Sequence, residues 1–346
     1  MTTLPWSLEC SACGATRSAD GLPGVCDCGQ PYLVRYRAAP APEARALLPA
    51  RRWTMWRYRE WLPLADSEAP ITLGEGGTPL LTVPRLAAKH GFRALLVKEE
   101  GANPTGSFKA RGLAAAVTRA ALAGAKRLVV PTAGNAGVAL AAYAARAGLP
   151  ARVYAPATTP PAILGQIRSF GGDLVLVHGH IGDCGKAARA YAAETGAVDV
   201  STLREPYRIE GKKTLGLELA EQLEWTLPDA IVYPTGGGTG LIGMWKAFGE
   251  LMRAGREKLR GRDRVLRALA RPAYRSRGAA GSRATRGPPD ASSTARDRRW
   301  GGGSHGQTAR DGGQRPADAR GHRRVPGGRG FARRSRGAQG ARSVSP

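Results

Sequence analysis

An α/β protein built around parallel sheet is predicted by three observations. From about residue 92 to 252, short apolar runs alternate with helical segments. The runs are apolar throughout, not at every second position, as strands covered on both faces require. Successive helical segments stop at a glycine, the residue that takes a left-handed C-cap most readily.

In order, Leu95-Leu96-Val97 reads as a strand and residues 112–122 as a helix closed by Gly124. Leu128-Val129-Val130 is a strand, followed by a helix over 135–146 closed by Gly148. Val153-Tyr154 is a strand, then comes a helix near 162–170 and the pair Gly171-Gly172. The run 174–177 is a strand, and 185–194 a helix closed by Gly196. Residues 212–223 are helical, Ile231-Val232-Tyr233 is a strand, and 239–252 is a helix. Upstream, residues 32–36 form a short strand, and Pro40, Pro42 and Pro49 mark a linker.

Ligands of such sheets bind beyond the carboxyl ends of the strands. Three segments there carry chemistry. Lys109 lies where a loop, Asn103-Pro104-Thr105-Gly106-Ser107-Phe108, gives way to an Ala-rich helix. The unpaired amides and positive dipole of a helix start disfavour an ammonium ion and favour a neutral, nucleophilic amine. A solvated lysine is the plainer alternative. The loop Thr132-Ala133-Gly134-Asn135 opens the next helix. The third segment, Gly236-Gly237-Gly238-Thr239-Gly240, lets backbone amides converge on an anion, with the Thr239 hydroxyl as a further donor. It lacks the Gly-Lys-Ser/Thr ending of a nucleotide P-loop and does not match G-x-G-x-x-G with its following acidic residue. Lys109 and this loop are expected at the ligand edge of one sheet.

Four of the five cysteines lie close together as Cys10-x2-Cys13 and Cys26-x-Cys28, each pair followed by a glycine. With no export signal, such a cluster reads as a closed, structural zinc site of four thiolates. The second pair is one residue tighter than C-x2-C, so a degraded ribbon with free thiols is the alternative. Cys184 stands alone and reads as a small apolar packing residue. No stretch is long and apolar enough to span a membrane, and the start shows no basic-then-apolar leader, so a cytoplasmic location is expected.

Together these segments resemble the fold-type II pyridoxal-phosphate enzymes, and within them the threonine synthases. The residues that carry the resemblance are 103–109 with Arg111-Gly112, the 132–137 loop and the 236–240 loop. The cysteine ribbon, Gly74-Glu75-Gly76-Gly77-Thr78-Pro79-Leu80 and Tyr207-Arg208-Ile209-Glu210-Gly211-Lys212-Lys213-Thr214 add to it. The resemblance implies two parallel-sheet α/β domains over residues 39–255, with a smaller mobile subdomain at 125–205, behind a zinc-ribbon-like segment at 1–38. It implies pyridoxal 5'-phosphate as cofactor and Lys109 as the Schiff-base lysine and proton-moving base. Gly236, Gly237, Gly238, Thr239 and Gly240 would hold the cofactor phosphate, and Asn135 its 3-hydroxyl. Thr132, Ala133, Gly134 and Asn135 would grip the substrate carboxylate, and Phe108 would pack against the scaffold. The implied reaction converts O-phosphohomoserine and water to threonine and phosphate, in a homodimer. A second phosphate must then be bound, and Lys212, Lys213, Arg208 and Arg204 are the candidates. Ala110 stands where many threonine synthases carry Asp, which leaves room for a serine/threonine dehydratase-type elimination.

The last segment departs from that pattern. Residues 261–346 hold 21 Arg against 5 Asp, +16 of the chain's net +25, with no Lys or Glu and 16 Gly. Such a composition buries too little apolar surface to offset chain entropy, so disorder is expected over 256–346. Arg, Gly, Ala and Pro share GC-rich codons, and the segment reads as a frameshift near residues 253–262. A family-like carboxyl-terminal part would be missing, so an inactive, truncated protein is a further alternative. Few aromatics and no regular repeat argue against a nucleic-acid partner.

Overall fold

The alternation in the middle of the chain is realised as one parallel sheet between helices. The computed structural model describes residues 4–40 and 42–253. They belong to a unit spanning Met1–Gly278; a second unit, Ala279–Pro346, lies outside them, as does the segment in which disorder and a frameshift are expected.

The first sheet is the ribbon, with strands β1 (Trp6–Cys10), β2 (Thr16–Ser18) and β3 (Tyr32–Tyr36) in the antiparallel order β2-β1-β3. Trp6, Leu8, Cys10, Tyr32 and Val34 form its core, together with Tyr207 from the main body. The proline-marked linker becomes two short 3-10 turns, Pro42–Arg45 and Leu48–Ala50, and a longer 3-10 stretch follows at Met55–Trp61.

Strands β4 (Leu80–Thr82) and β5 (Leu96–Lys98) flank helix α1 (Pro84–Lys89) and pair antiparallel. Helix α2 (Lys109–Leu122) follows. Then come β6 (Leu128–Pro131), α3 (Asn135–Ala147), β7 (Ala151–Pro156), α4 (Pro161–Ser169), β8 (Asp173–Val177), α5 (Ile181–Thr195) and β9 (Val198–Asp199). The last four strands make a parallel sheet in the order β8-β7-β6-β9. Leu128, Val130, Val153, Val138 and Tyr143 are buried between this sheet and its helices. Gly124, Gly148, Gly171 and Gly196 all have positive φ, as the helix stops required.

Helices α6 (Tyr207–Gln222) and α7 (Thr239–Arg253) complete the described fold. Helix α6 starts five residues before the segment expected to be helical, because Glu205 accepts hydrogen bonds from the Tyr207 and Arg208 amides (2.6 and 3.0 Å) and so caps it. It lies between α2 and α7 and is buried from Tyr207 to Ala220. The helices approach closely through glycines: a Cβ on Gly211 would lie 2.0 Å from the Arg111 carbonyl oxygen.

Two expectations change. Residues 231–233 are not a strand, and β5 pairs antiparallel with β4, so among the described residues there is one parallel sheet, not two. Apolar, β-prone residues become a strand only beside a hydrogen-bonding neighbour, and none of the described strands flanks 231–233. Lys109 and the glycine loop therefore do not share a sheet edge; only the 132–135 loop follows a strand of the parallel sheet. Among the described residues no helix is long and apolar enough to cross a membrane.

Because Gly211 faces backbone and cannot be relieved by a side-chain rotation, Gly211→Ala should destabilise the protein by about 1–3 kcal/mol or more. Denaturant unfolding monitored by circular dichroism measures this, and an unchanged midpoint would contradict the close packing of α2 and α6.

Candidate active site and metal centre

Two hydrogen-bonded loops and a buried guanidinium determine where Lys109 sits. The Gly106 amide donates to the Asn103 carbonyl (2.8 Å), closing a turn with Pro104 at its second position and Gly106, at φ 66°, at its end. The Asn103 side chain accepts from the Gly76 amide (3.1 Å), tying this turn to the Gly74–Leu80 loop. Two residues beyond Lys109, Arg111 is fully buried and uses both arms of its fork. It bonds Glu100 through Nε and Nη2 (2.8 and 2.7 Å) and Glu218 through Nη1 (2.9 Å). Glu218 also accepts from Lys98 (2.5 Å) and from the Gly77 and Thr78 amides (3.0 and 2.8 Å). Burial pushes the Glu218 carboxyl up, but Arg111 and Lys98 outweigh it and hold it down at about 2.

Lys109 is the first residue of α2, as expected, and is half-buried. Burial pushes its amine down to about 8, and the positive charge of Arg208 adds to the effect. Its Nζ lies 3.6 Å from the centroid of the Phe108 ring. Lys212 reaches the same ring from α6, with Nζ 4.9 Å from the centroid, and donates to the Thr239 hydroxyl oxygen at 2.5 Å. The structure thus groups Lys109, Lys212 and Thr239 near Phe108, with Arg208 close enough to push both amines down. Tyr233 packs edge-on against that ring at 5.8 Å.

The glycine loop enters α7 at Thr239, and Gly238 has φ 75°. Side chains would fill its close contacts: a Cβ on Gly237 would lie 2.6 Å from the Thr202 methyl, and one on Gly240 would lie 2.0 Å from the Tyr233 hydroxyl. The buried Arg208 Nε and Tyr233 hydroxyl have no hydrogen-bond partner among the described residues. A cradle of bare amides, a desolvated amine and unpartnered buried polar atoms together suit a ligand with both an aldehyde and a phosphate.

The 132–135 loop opens α3, which packs on α2. The Thr132 hydroxyl donates to the Gly134 carbonyl (2.9 Å) and accepts from the Gly134 and Gly137 amides (3.1 and 3.3 Å). Its hydroxyl is therefore spent inside the loop, while Asn135 is exposed at the helix start. No hydrogen bond or ion pair joins this loop to the Lys109 group among the described residues.

Of the cationic candidates, Lys213 is committed elsewhere. Its Nζ bonds Glu210 (2.6 Å) and Glu250 (2.8 Å); Lys246 and the Tyr36 hydroxyl (2.7 Å) also bond Glu210. Arg204 lines a surface hollow of about 370 Å³ with Arg189 and Asp199, beside the ribbon loop 22–25. Arg208 and Lys212 remain at the site. Nothing in the sequence pattern marks Phe108 and Tyr233 as parts of it, because each reads as an apolar packing residue.

The four ribbon cysteines meet. Cys10 and Cys28 sulfurs are 3.4 Å apart, Cys13 and Cys26 are 3.6 Å apart, and all four lie within 4.8 Å of one another. Tetrahedral zinc with thiolates at its usual bond length needs sulfurs about 3.8 Å apart. Gly14 and Gly29, both at positive φ, turn the two knuckles. Amides of Cys13 and Ala12 push Cys10 down to about 6, favouring the thiolate. The donor set and spacing fit a structural metal ion, and the tight Cys26-x-Cys28 pair does not prevent it. Cys184 is buried in the α5 core, as expected.

Comparison with known proteins agrees with this chemistry. Residues 71–295 match the family model for the pyridoxal-phosphate dependent enzyme. The chain belongs to that family, and its cofactor is pyridoxal phosphate. It is related to the threonine synthases: it is 34% identical to that of Methanocaldococcus jannaschii over 245 residues, 70% of this chain and 60% of that protein. With the threonine synthase of Methanosarcina acetivorans it shares 35% over 249 residues, 71% of this chain and 60% of that one. The chain thus spans about three fifths of the length of these relatives. Among solved structures it is similar to the processed form of threonine deaminase isoform 2 from Solanum lycopersicum, with 26% identity and a TM-score of 0.46 over 51% of this chain and 48% of that one.

Two outcomes are expected. Reaction of Lys109 with a simple aldehyde, followed by reductive trapping and peptide mapping, should rise with pH with a midpoint near about 8; a midpoint near 10.5 would show a solvated lysine. Metal analysis should find one zinc ion per chain, lost on Cys13→Ser with a lower melting temperature; a chain equally stable with and without metal would favour free thiols.

Proposed function

We propose that this protein carries out pyridoxal-phosphate-dependent elimination on an amino acid with a leaving group in its side chain. The observation that carries this reading is a contrast among buried cations. Arg57, Arg111, Arg119, Lys213 and Lys246 are all ion-paired with carboxylates. Arg208 and Lys212, 1% and 2% exposed, make no ion pair among the described residues, and both lie beside Lys109. Buried basic side chains are ordinarily paired, so unpaired ones grouped at a nucleophilic amine suit anionic ligands.

Bound there, pyridoxal phosphate supplies an electron sink for the carbon next to the substrate's nitrogen. Lys109 would hold the cofactor through its amine; released by the substrate's amine, it would be the base for the α proton, for which an amine poised near neutrality is suited. Amides of Gly236–Gly240 and the Thr239 hydroxyl take the cofactor phosphate at the positive end of α7. The start of α3, with the exposed Asn135, takes the substrate carboxylate and the cofactor hydroxyl; the Thr132 hydroxyl shapes that loop rather than binding. Arg208 is the buried cation left for an anionic side chain on the substrate.

The finer reading is conversion of O-phosphohomoserine and water to threonine and phosphate. It is supported by the relatives' names and by Arg208 as a site for the leaving phosphate. The dehydratase-type α,β-elimination is favoured by Ala110, which places no acid beside Lys109 and is itself fully buried in the core. That reaction needs only removal of the α proton and loss of a β substituent. The homodimer and the phosphorylated amino-acid substrate belong to the first reading.

The full chain, loaded with pyridoxal phosphate, should release inorganic phosphate and form threonine from O-phosphohomoserine. Keto acid from threonine or serine would select the dehydratase instead. Either activity should vanish in Lys109→Ala, and neither product from any of these substrates would refute elimination for this chain.

A further inference from the structure

We infer that Lys212 is a ligand of the cofactor's phosphate, adding a charge to the glycine loop, and is not part of the substrate's anion subsite. This rests on the reading that the loop holds that phosphate. The sequence places Lys212 among the substrate residues; the geometry points the other way. Its Nζ is hydrogen-bonded to Thr239, the residue where the glycine loop becomes α7. Its stem cannot easily swing away, because it lies against α2 at Gly112, where an added Cβ would stand 3.0 Å from the Lys212 Cε. It is 2% exposed and makes no ion pair among the described residues, although the next residue, Lys213, makes two. Arg208 differs: its Nη1 donates to the Val200 carbonyl (2.8 Å), and its Nε has no partner among the described residues. The two unpaired basic side chains thus point to different anions.

The charge state of Lys212 follows from what faces it. Burial pushes its amine down to about 6; Arg208 on α6 and Lys109 on α2 push the same way, and Glu205 before α6 opposes them. From α7 it meets the neutral Thr239 hydroxyl. Without an anion the amine is neutral above pH about 6. A phosphate dianion within hydrogen-bond reach reverses that balance, so Lys212 takes up a proton as the phosphate arrives. The loop then offers a full positive charge in addition to backbone dipoles.

The test compares pyridoxal phosphate with pyridoxal, which has the aldehyde and no phosphate. Binding to the full chain is followed by the absorption change on reaction with Lys109. The unaltered protein should strongly prefer the phosphorylated aldehyde. Lys212→Met and Lys212→Gln, of similar volume, should weaken pyridoxal phosphate by roughly ten- to a hundredfold and leave pyridoxal unchanged. An unchanged preference in both variants would overturn the inference. If the unaltered protein shows no preference at all, the glycine-loop reading fails instead; if Lys109→Ala gives the same absorption change, the Lys109 reading fails.

A second measurement needs no variant. Calorimetry at about pH 7.5 in buffers of different ionisation enthalpy counts protons taken up on binding. Lys109 reacts with both aldehydes, so its contribution cancels. Pyridoxal phosphate should take up more protons than pyridoxal, approaching one extra, and equal uptake would overturn the inference.

Discussion

The buried guanidinium of Arg111 is the constraint on which the rest of the described structure depends. Its fork joins Glu100, after β5, to Glu218 on α6, and Glu218 in turn holds the amides of the 77–78 loop and Lys98 of β5. Removing one partner from such a group leaves a charge without solvent or counter-ion, which costs about 3–5 kcal/mol. Because Arg111 is one half-turn beyond Lys109, this network sets the direction in which α2 presents its first residue. The nucleophile is positioned by charges that pair with one another.

Helix α6 shows how the fold separates structural from functional charge. It is buried nearly all round yet carries Arg208, Glu210, Lys212, Lys213 and Glu218. Toward α7 and the ribbon, Glu210, Lys213, Lys246 and Glu250 neutralise one another, with the Tyr36 hydroxyl of β3 on Glu210. Toward α2, Glu218 neutralises Arg111. Among the described residues, the first turns leave the basic side chains of Arg208 and Lys212 without an ion pair, and these lie beside Lys109. The ribbon is thus anchored in the same helix that lines the site: Tyr207 belongs to its core and Glu210 accepts from its third strand.

Much of this was legible in local sequence. The turn before Lys109 follows from Asn, Pro and Gly at positions that one β-turn prefers, and the cysteine knuckles follow from Gly14 and Gly29 after their pairs. In the parallel sheet β9, only two residues long and ending in Asp199, carries no apolar run, but the other three of the four strands were found because their runs are apolar throughout. Residues 231–233 have the same composition and are not a strand, because strand formation depends on a neighbour and not on composition alone. The start of α6 was placed too late, since the cap there is the Glu205 carboxylate ahead of Pro206, and the charged run 208–213 hides a buried helix.

Lys212 and Lys213 separate what each level decides. By itself the sequence determined that a lysine would open a helix, that a glycine loop would precede another, and that four cysteines would lie on two knuckles. These are short-range consequences of backbone preference. It could not distinguish two identical, adjacent lysines. On a helix successive side chains point about 100° apart, so one lysine meets Glu210 and Glu250 and is neutralised, while the other meets Thr239 and Phe108 and is left available. That choice belongs to the packing of α2, α6 and α7, where partners distant in sequence decide which charge is structural and which is free to bind.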